Sequence, residues 1–117
     1  MSRVINKRLS LEFCGLHLRS PIVLLSGCVG FGEEYTRVDQ FSNTDVGAVC
    51  LKGTTLESRM GNLTHRVFET PSGMINAIGL QNPGATAVVN DILPSLDFGE
   101  TRFIANISGT TVEEYVE

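Results

Sequence analysis

The sequence is poor in several features that mark whole classes of protein. No apolar run is longer than the four residues Ile22-Val23-Leu24-Leu25, far short of the ~20 that span a bilayer. Met1-Ser2-Arg3 leads into polar sequence rather than the apolar stretch of a leader, so no membrane segment is expected and the expected compartment is the cytoplasm. A basic run is also lacking: the nine Lys and Arg residues are scattered, and the net charge is −4. Nothing here neutralises a phosphate backbone, and nucleic acid is not an expected partner. Cysteine is scarce. Cys14, Cys28 and Cys50 are an odd number, without Cys-x-x-Cys spacing or a nearby His pair, which argues against a disulfide framework and a zinc site and for reduced thiols. There is no linker, low-complexity tract or internal repeat beyond an alternation of elements. What is present is ordinary globular chemistry: 117 residues, 42% hydrophobic and 19% charged, enough for one domain and its core.

Along the chain, Leu9, Leu11 and Phe13 alternate with polar residues, Cys14-Gly15 interrupts, and Leu16 and Leu18 alternate again. This predicts a small β-hairpin with one apolar face. The continuous run Ile22-Val23-Leu24-Leu25 after Pro21 reads as a strand buried on both faces, a candidate central parallel strand ending at Ser26-Gly27. Tyr35, Val38 and Phe41 recur at three-residue spacing and predict a helix over 33–41, with Ser42-Asn43 as its stop. A second buried strand, Ala48-Val49-Cys50-Leu51, ends at Lys52-Gly53. Residues 54–82 read as a long polar loop containing the apolar pieces Val67-Phe68 and Met74-Ile75, and its length points to a functional role. Asn82-Pro83 predicts an N-cap and first helical position for a helix carrying Val88, Val89, Ile92 and Leu93 and bounded by Pro94. A third buried strand is predicted at Phe103-Ile104-Ala105, leading to Asn106. Thr111 with Glu114 then forms a Thr-x-x-Glu capping box for a helix close to Glu117.

Strand, helix, strand, loop, helix, strand and new helix is the alternation of an α/β protein with a parallel sheet. Polar residues follow each strand, at the edge that carries the active site in (β/α)8 barrels. A full barrel needs about 250 residues. The expectation is therefore an N-terminal β-hairpin plus about three βα units, residues 1–117 forming a single incomplete domain. Three units would leave an open sheet edge, a template for association.

Three glycine-rich stretches stand out: Ser26-Gly27-Cys28-Val29-Gly30-Phe31-Gly32, Lys52-Gly53-Thr54-Thr55, and Asn76-Ala77-Ile78-Gly79-Leu80-Gln81-Asn82-Pro83-Gly84. Glycine lets a backbone approach a flat ligand closely, though each stretch alone says little, and the first also reads as a turn between strand and helix. The first contains Gly-x-x-Gly-x-Gly, which is neither the dinucleotide fingerprint nor a Walker A loop. Lys52, running on from a buried strand, needs an anionic or polar partner or must snorkel to water, and residue type leaves the two open. Asn76, Asn82 and Asn106 present donors and acceptors suited to a heterocycle edge, with a helix cap as the other reading of Asn82 and a strand-end turn as that of Asn106.

Taken together and in this order, the three stretches resemble the dihydroorotate dehydrogenase family, and Ser-Gly-Cys-x-Gly-Phe-Gly with Asn-Ala-Ile-Gly-Leu-Gln-Asn-Pro-Gly is most similar to its NAD-linked type. The similarity runs from about Leu9 to Glu117. It implies an FMN-dependent TIM barrel that oxidises dihydroorotate to orotate in pyrimidine synthesis, with electrons passed on towards NAD. Carried over, Ser26, Lys52, Gly53 and Asn106 would contact FMN, and Lys52, Asn76, Ala77, Ile78, Gly79 and Leu80 would hold the substrate. The family's base is a cysteine on a loop expected beyond Glu117, so no catalytic residue is assigned here. Cys28 and Cys50 are read as structural, and Cys14 as a hairpin-turn residue. Phosphate-binding loops after strands 7 and 8 are likewise expected outside this chain, which predicts weak or no FMN binding by the chain alone. The resemblance also implies a partner subunit carrying FAD and an iron–sulfur cluster, in a homo-oligomer or heterotetramer. A competing expectation is a non-catalytic truncated fragment that associates through its open sheet edge.

Overall fold

A computed structural model describes residues 8–116. Its strands are β1 (Leu11–Phe13), β2 (Leu16–Leu18), β3 (Val23–Leu24), β4 (Ala48–Cys50), β5 (Val67–Thr70), β6 (Gly73–Asn76) and β7 (Arg102–Ile104). Two short α-helices are α1 (Ser26–Val29) and α2 (Ala85–Ala87). The chain divides into two compact units. The first holds the described residues up to Lys52 together with Pro94–Asn106, and the second Gly53–Leu93 together with Ile107 onwards.

In the first unit, β1 and β2 form an antiparallel pair with Leu11 opposite Leu18, Glu12 opposite His17 and Phe13 opposite Leu16. Cys14 and Gly15 both have positive φ, 49° and 78°, the backbone that a two-residue hairpin turn needs to match strand twist. The pairing puts the leucines and Phe13 on one face. Only Leu18 is fully buried there, while Phe13 and Leu16 stay exposed.

The strands β3, β4 and β7 form a parallel sheet with β4 in the middle. Ala48 and Val49 are completely buried, as a strand paired on both sides predicts. The central position expected for 22–25 therefore belongs to β4. β3 is an edge strand of two residues, both half-buried, and Ile22 and Leu25 are exposed at 54% and 63%. A strand paired on one side has less to cover it. β7 is likewise half-buried rather than buried. Val29, Val46, Leu51 and Leu96 complete this core with Leu18.

The helix expected over 33–41 is a single 3-10 turn, Glu34–Arg37, after which Val38 is extended and Gln40 takes a φ of 71°. Tyr35 and Phe41 still meet edge to face, 5.9 Å apart, but across this break. Ser42 does not stop a helix. It caps the next 3-10 turn, Asn43–Asp45, with a reciprocal capping box to Asp45. The local hydrogen bonds of Ser and Asp outcompete continuation of the helix.

In the second unit, the expected loop over 54–82 contains a hairpin. β5 and β6 pair antiparallel from Val67 opposite Asn76 to Thr70 opposite Gly73, closing round Pro71 and Ser72. Successive strand residues face opposite sides, so Phe68 and Ile75 share one face and Val67 and Met74 lie on the other. All four are exposed. The Thr-Pro-Ser-Gly turn between two apolar pairs is the sequence signal for this hairpin.

The predicted cap at Asn82 also shifts. Gly84, with φ 89°, is the N-cap of α2, so Pro83 precedes the helix rather than opening it. The helix continues as a π-helical turn, Val88–Ile92, in which Val88 is buried and Val89 exposed. Near the end of the described chain, Glu114 N donates to Thr111 Oγ1, but the Glu114 carboxylate accepts from Thr110 instead of Thr111. Half of the expected box is formed, and a 3-10 turn, Glu113–Tyr115, follows it.

Candidate functional site

In the first unit, three sequence-predicted residues follow the three parallel strands at their C-terminal ends: Ser26 after β3, Lys52 after β4 and Asn106 after β7. Cys50 is opposite Ile104, so two further residues bring Lys52 level with Asn106. Asn106 Nδ2 donates to Ser26 Oγ at 3.1 Å. The strands carrying them do not pair with each other and are separated by β4, a gap of about two strand spacings of ~4.8 Å. The bond therefore closes over the end of the central strand, where Lys52 sits half-buried.

Ser26 opens α1, and Gly27 follows it on the exposed side. A Cβ built on Gly27 meets nothing within 4 Å, so the backbone there has open space above it. Gly30 ends α1 at φ 55°, which turns the chain back towards Gly32 and the Val49 side chain. The turn reading of this stretch and its open backbone coexist: Gly30 and Gly32 shape the turn, and Gly27 leaves the space.

Gly53 and 76–80 belong to the second unit. Residues 76–80 are fastened from one side. Asn62 N donates to Ile78 O at 2.9 Å, Asn62 Nδ2 to Ala77 O at 2.8 Å, and Asn82 Nδ2 to Leu80 O at 2.8 Å. Ala77 N donates to Arg66 O at 2.8 Å. The carbonyls of Ala77, Ile78 and Leu80 are thus taken by the protein, whereas among the described residues the N–H groups of Ile78, Gly79 and Leu80 donate to none. Gly79 and Leu80 both have positive φ, 79° and 53°. Asn76, at the end of β6, is exposed with its amide beside these donors in sequence. Such a run of N–H groups is suited to an anionic or carbonyl-rich edge.

Arg66 and Asn62 were not visible as site residues in the sequence. Arg66 donates to Asn62 O at 3.0 Å and to Gln81 Oε1 at 2.6 Å, tying both arms of the second unit together. Thr55 was missed too. It is 2% exposed, its N–H and hydroxyl face Asn82, and its Oγ1 donates to Glu57 O. Asn82 is therefore neither a ligand for a heterocycle nor the helix cap: it is buried, and its Oδ1 accepts from Gly84 N at 2.9 Å.

Cys14 and Cys28 are exposed free thiols, and Cys50 is half-buried rather than buried. Among the described residues no group of three or more His, Cys, Asp or Glu side chains is placed to hold a metal ion. Within the same residues no helix is long and apolar enough to cross a membrane.

Parallel strands joined through helical turns, with polar side chains gathered where the strands end, define a mixed α/β protein whose candidate chemistry lies at the C-terminal edge of its sheet. The family model for dihydroorotate dehydrogenase matches residues 8–117, and the chain belongs to that family. It is 54% identical over 110 residues to the dihydroorotate dehydrogenase B (NAD(+)) catalytic subunit of Anoxybacillus flavithermus, covering 94% of this chain and 35% of the relative. The same-named protein of Bacillus caldolyticus is also 54% identical, over 94% of this chain and 34% of its own length. That of Listeria welshimeri is 50% identical, over 94% and 36%. The chain spans about a third of the length of the curated relatives it matches.

Proposed function

We propose that this chain supplies the first part of the active site of an FMN-dependent dihydroorotate dehydrogenase, in which dihydroorotate is oxidised to orotate for pyrimidine synthesis and electrons pass on towards NAD. The observation that carries this reading is the Asn106–Ser26 hydrogen bond over the strand end occupied by Lys52. In the same reading, residues 1–117 form one incomplete domain, the N-terminal part of a (β/α)8 barrel.

The residues present fit a flavin. Open space over Gly27 admits a flat ring against the backbone, and Ser26, Lys52 and Asn106 bring hydroxyl, ammonium and amide groups to one strand edge. These three and Gly53 would hold FMN, which when bound accepts the hydride from the substrate. Lys52 puts a positive charge at the mouth, where it offsets negative charge developing on a reduced ring. Asn76 and the N–H groups of 78–80 hold the substrate's carboxylate and carbonyl edges, and Lys52 adds a charge-assisted bond. The proton-accepting base is supplied from outside this chain, as are the groups holding the flavin phosphate.

A partner subunit follows from the words "catalytic subunit" in the relatives' names. We assign FAD and an iron–sulfur cluster to that partner, a heterotetramer or homo-oligomer to the assembly, and the cytoplasm to the protein. A second reading, a non-catalytic piece that associates through its sheet edge, is favoured by β3 and β7 each pairing on one side only among the described residues. Size-exclusion chromatography of the 117-residue chain distinguishes it: a monodisperse monomer removes that reading.

The test of the catalytic reading uses the complete enzyme. Purified protein should absorb as a flavoprotein and bleach on addition of dihydroorotate, and Lys52→Ala should lower both flavin retention and turnover. Unchanged retention and turnover in that variant would take Lys52 out of the site, and a flavin-free complete protein would sink the reading.

A further inference from the structure

The first unit has a cleft at the end of the sheet opposite to Ser26, Lys52 and Asn106. It is lined by His17, Arg19, Gly47, Phe98, Gly99, Thr101 and Arg102. Gly47 immediately precedes β4, and Thr101 and Arg102 begin β7, which places the cleft at the N-terminal edge of the strands. We propose that this cleft binds a phosphate-bearing small molecule.

Charge is the first ground. The chain carries 13 Asp and Glu against nine Lys and Arg, yet the cleft gathers two guanidiniums and an imidazole with no carboxylate in its lining. Two carboxylates border the cleft, and the bonds they make are to its His17 and Gly99, not to either guanidinium. His17 Nδ1 donates to Glu12 Oε1 at 2.8 Å, and Asp97 Oδ1 accepts from Gly99 N at 2.8 Å.

The second ground is unused donor capacity. A guanidinium has five N–H donors. Among the described residues, Arg19 uses one, to Thr44 O at 3.4 Å, and Arg102 uses one, to His17 O at 3.4 Å. Both bonds are long, and both go to neutral carbonyls. Two such forks from different elements match the oxygens of a phosphate group, which binds arginine in charge-assisted, bidentate fashion. Backbone groups add little: Gly47 N donates to Ile22 O, and Gly99 N is taken by Asp97.

The third ground concerns the rest of the ligand. The Phe98 ring is 55% exposed and held edge-on by Phe103 at 5.4 Å, so an apolar wall stands beside the cations. An organic phosphate with a planar group is accommodated better than the bare ion.

The full chain is titrated with inorganic phosphate and, separately, phenyl phosphate, while NMR follows the imidazole signals of its two histidines. Saturable shifts of His17 are expected, with His65, in the other compact unit, unmoved. Phenyl phosphate should bind several-fold more tightly, and Phe98→Ala should abolish that preference while leaving inorganic phosphate binding in place. Arg102→Gln, at an exposed position, and Arg19→Gln should each weaken both ligands by about tenfold, as the loss of one charge-assisted pair implies. The proposal is overturned if His17 shows no saturable shift, if His65 shifts in parallel with it, or if both arginine variants bind as the unaltered chain does. A preference for phenyl phosphate that survives Phe98→Ala overturns the aromatic wall.

Discussion

Asn106 donates to Ser26 across the end of a strand that belongs to neither of them. Ser26 follows β3 and Asn106 follows β7, strands that pair with β4 and not with each other, so the bond links the two outer strands of the sheet at its C-terminal edge. A double-mutant cycle with Asn106→Ala and Ser26→Ala, read by urea unfolding of the chain, should give a coupling of about 0.5 to 1.5 kcal/mol, the range of a net intramolecular hydrogen bond. No coupling would mean that the two side chains do not meet in solution.

Gly27→Ala separates folding from ligand approach. Nothing lies within 4 Å of the added Cβ, and alanine is favoured over glycine in a helical turn, so stability should be unchanged or rise by up to about 1 kcal/mol. In the complete enzyme the same methyl fills the space proposed for the flavin ring. Flavin retention measured by absorbance should fall while the melting temperature of the apoprotein holds.

Gly47→Ala should show the reverse. Its Cβ would collide with Ser20 O and come 3.3 Å from Ile22 O, both backbone atoms that cannot rotate away. Residues 20–22 and β4 must move apart, and a loss of about 1 to 3 kcal/mol is expected in chemical denaturation.

Asn82→Ala removes a buried amide that bonds Thr55, Leu80 and Gly84 at once. It leaves the Thr55 and Gly84 N–H groups without an acceptor in a buried place. A destabilisation of about 2 to 4 kcal/mol is expected, together with faster amide exchange at Thr55, at position 82 and at Gly84, whose N–H groups are bonded in the unaltered chain.

Glu114 gives a pH dependence. Its carboxylate accepts from the Thr110 backbone N–H and then from the Thr110 hydroxyl, with Arg59 adding a weaker attraction, and these hold its pKa below the ordinary 4.5 despite some opposing desolvation. A lowered folded-state value means that the ionised form stabilises the fold. That contribution is complete above 4.5, the unfolded value, and is lost as pH falls through the lower folded value. The Thr110 amide signal should titrate with a midpoint below 4.5, and Glu114→Gln should abolish that titration.

Parts of this protein are readable without coordinates because local physics is enough to fix them. The first hairpin is one: alternation sets its faces, and Cys14-Gly15 can adopt the turn. The parallel strands are another, because continuous apolar runs ending in polar residues mark strand positions wherever they occur. Which of them is central is different, since that depends on what pairs on each side, and β3 and β4 look alike as strings. The helix over 33–41 failed for a related reason. Its stripe is real enough to bring Tyr35 to Phe41, but no burial reward for those side chains outweighed the turns offered by Gln40 and Ser42. The second hairpin was legible in Thr70-Pro71-Ser72-Gly73 and was hidden by the polar composition around it.

For the candidate site, residue types alone placed Ser26, Lys52 and Asn106 at strand ends, because a buried run must stop where polar atoms meet water. They could not say that Asn106 would reach Ser26 over an intervening strand, nor that Asn82 would turn inward while the N–H groups of 78–80 stayed open. Sequence thus determined the chemistry available and its position along each strand. Tertiary structure decided which of those groups are spent on one another and which remain for a ligand, since hydrogen-bond partners distant in the chain become neighbours only when the sheet and its loops have closed.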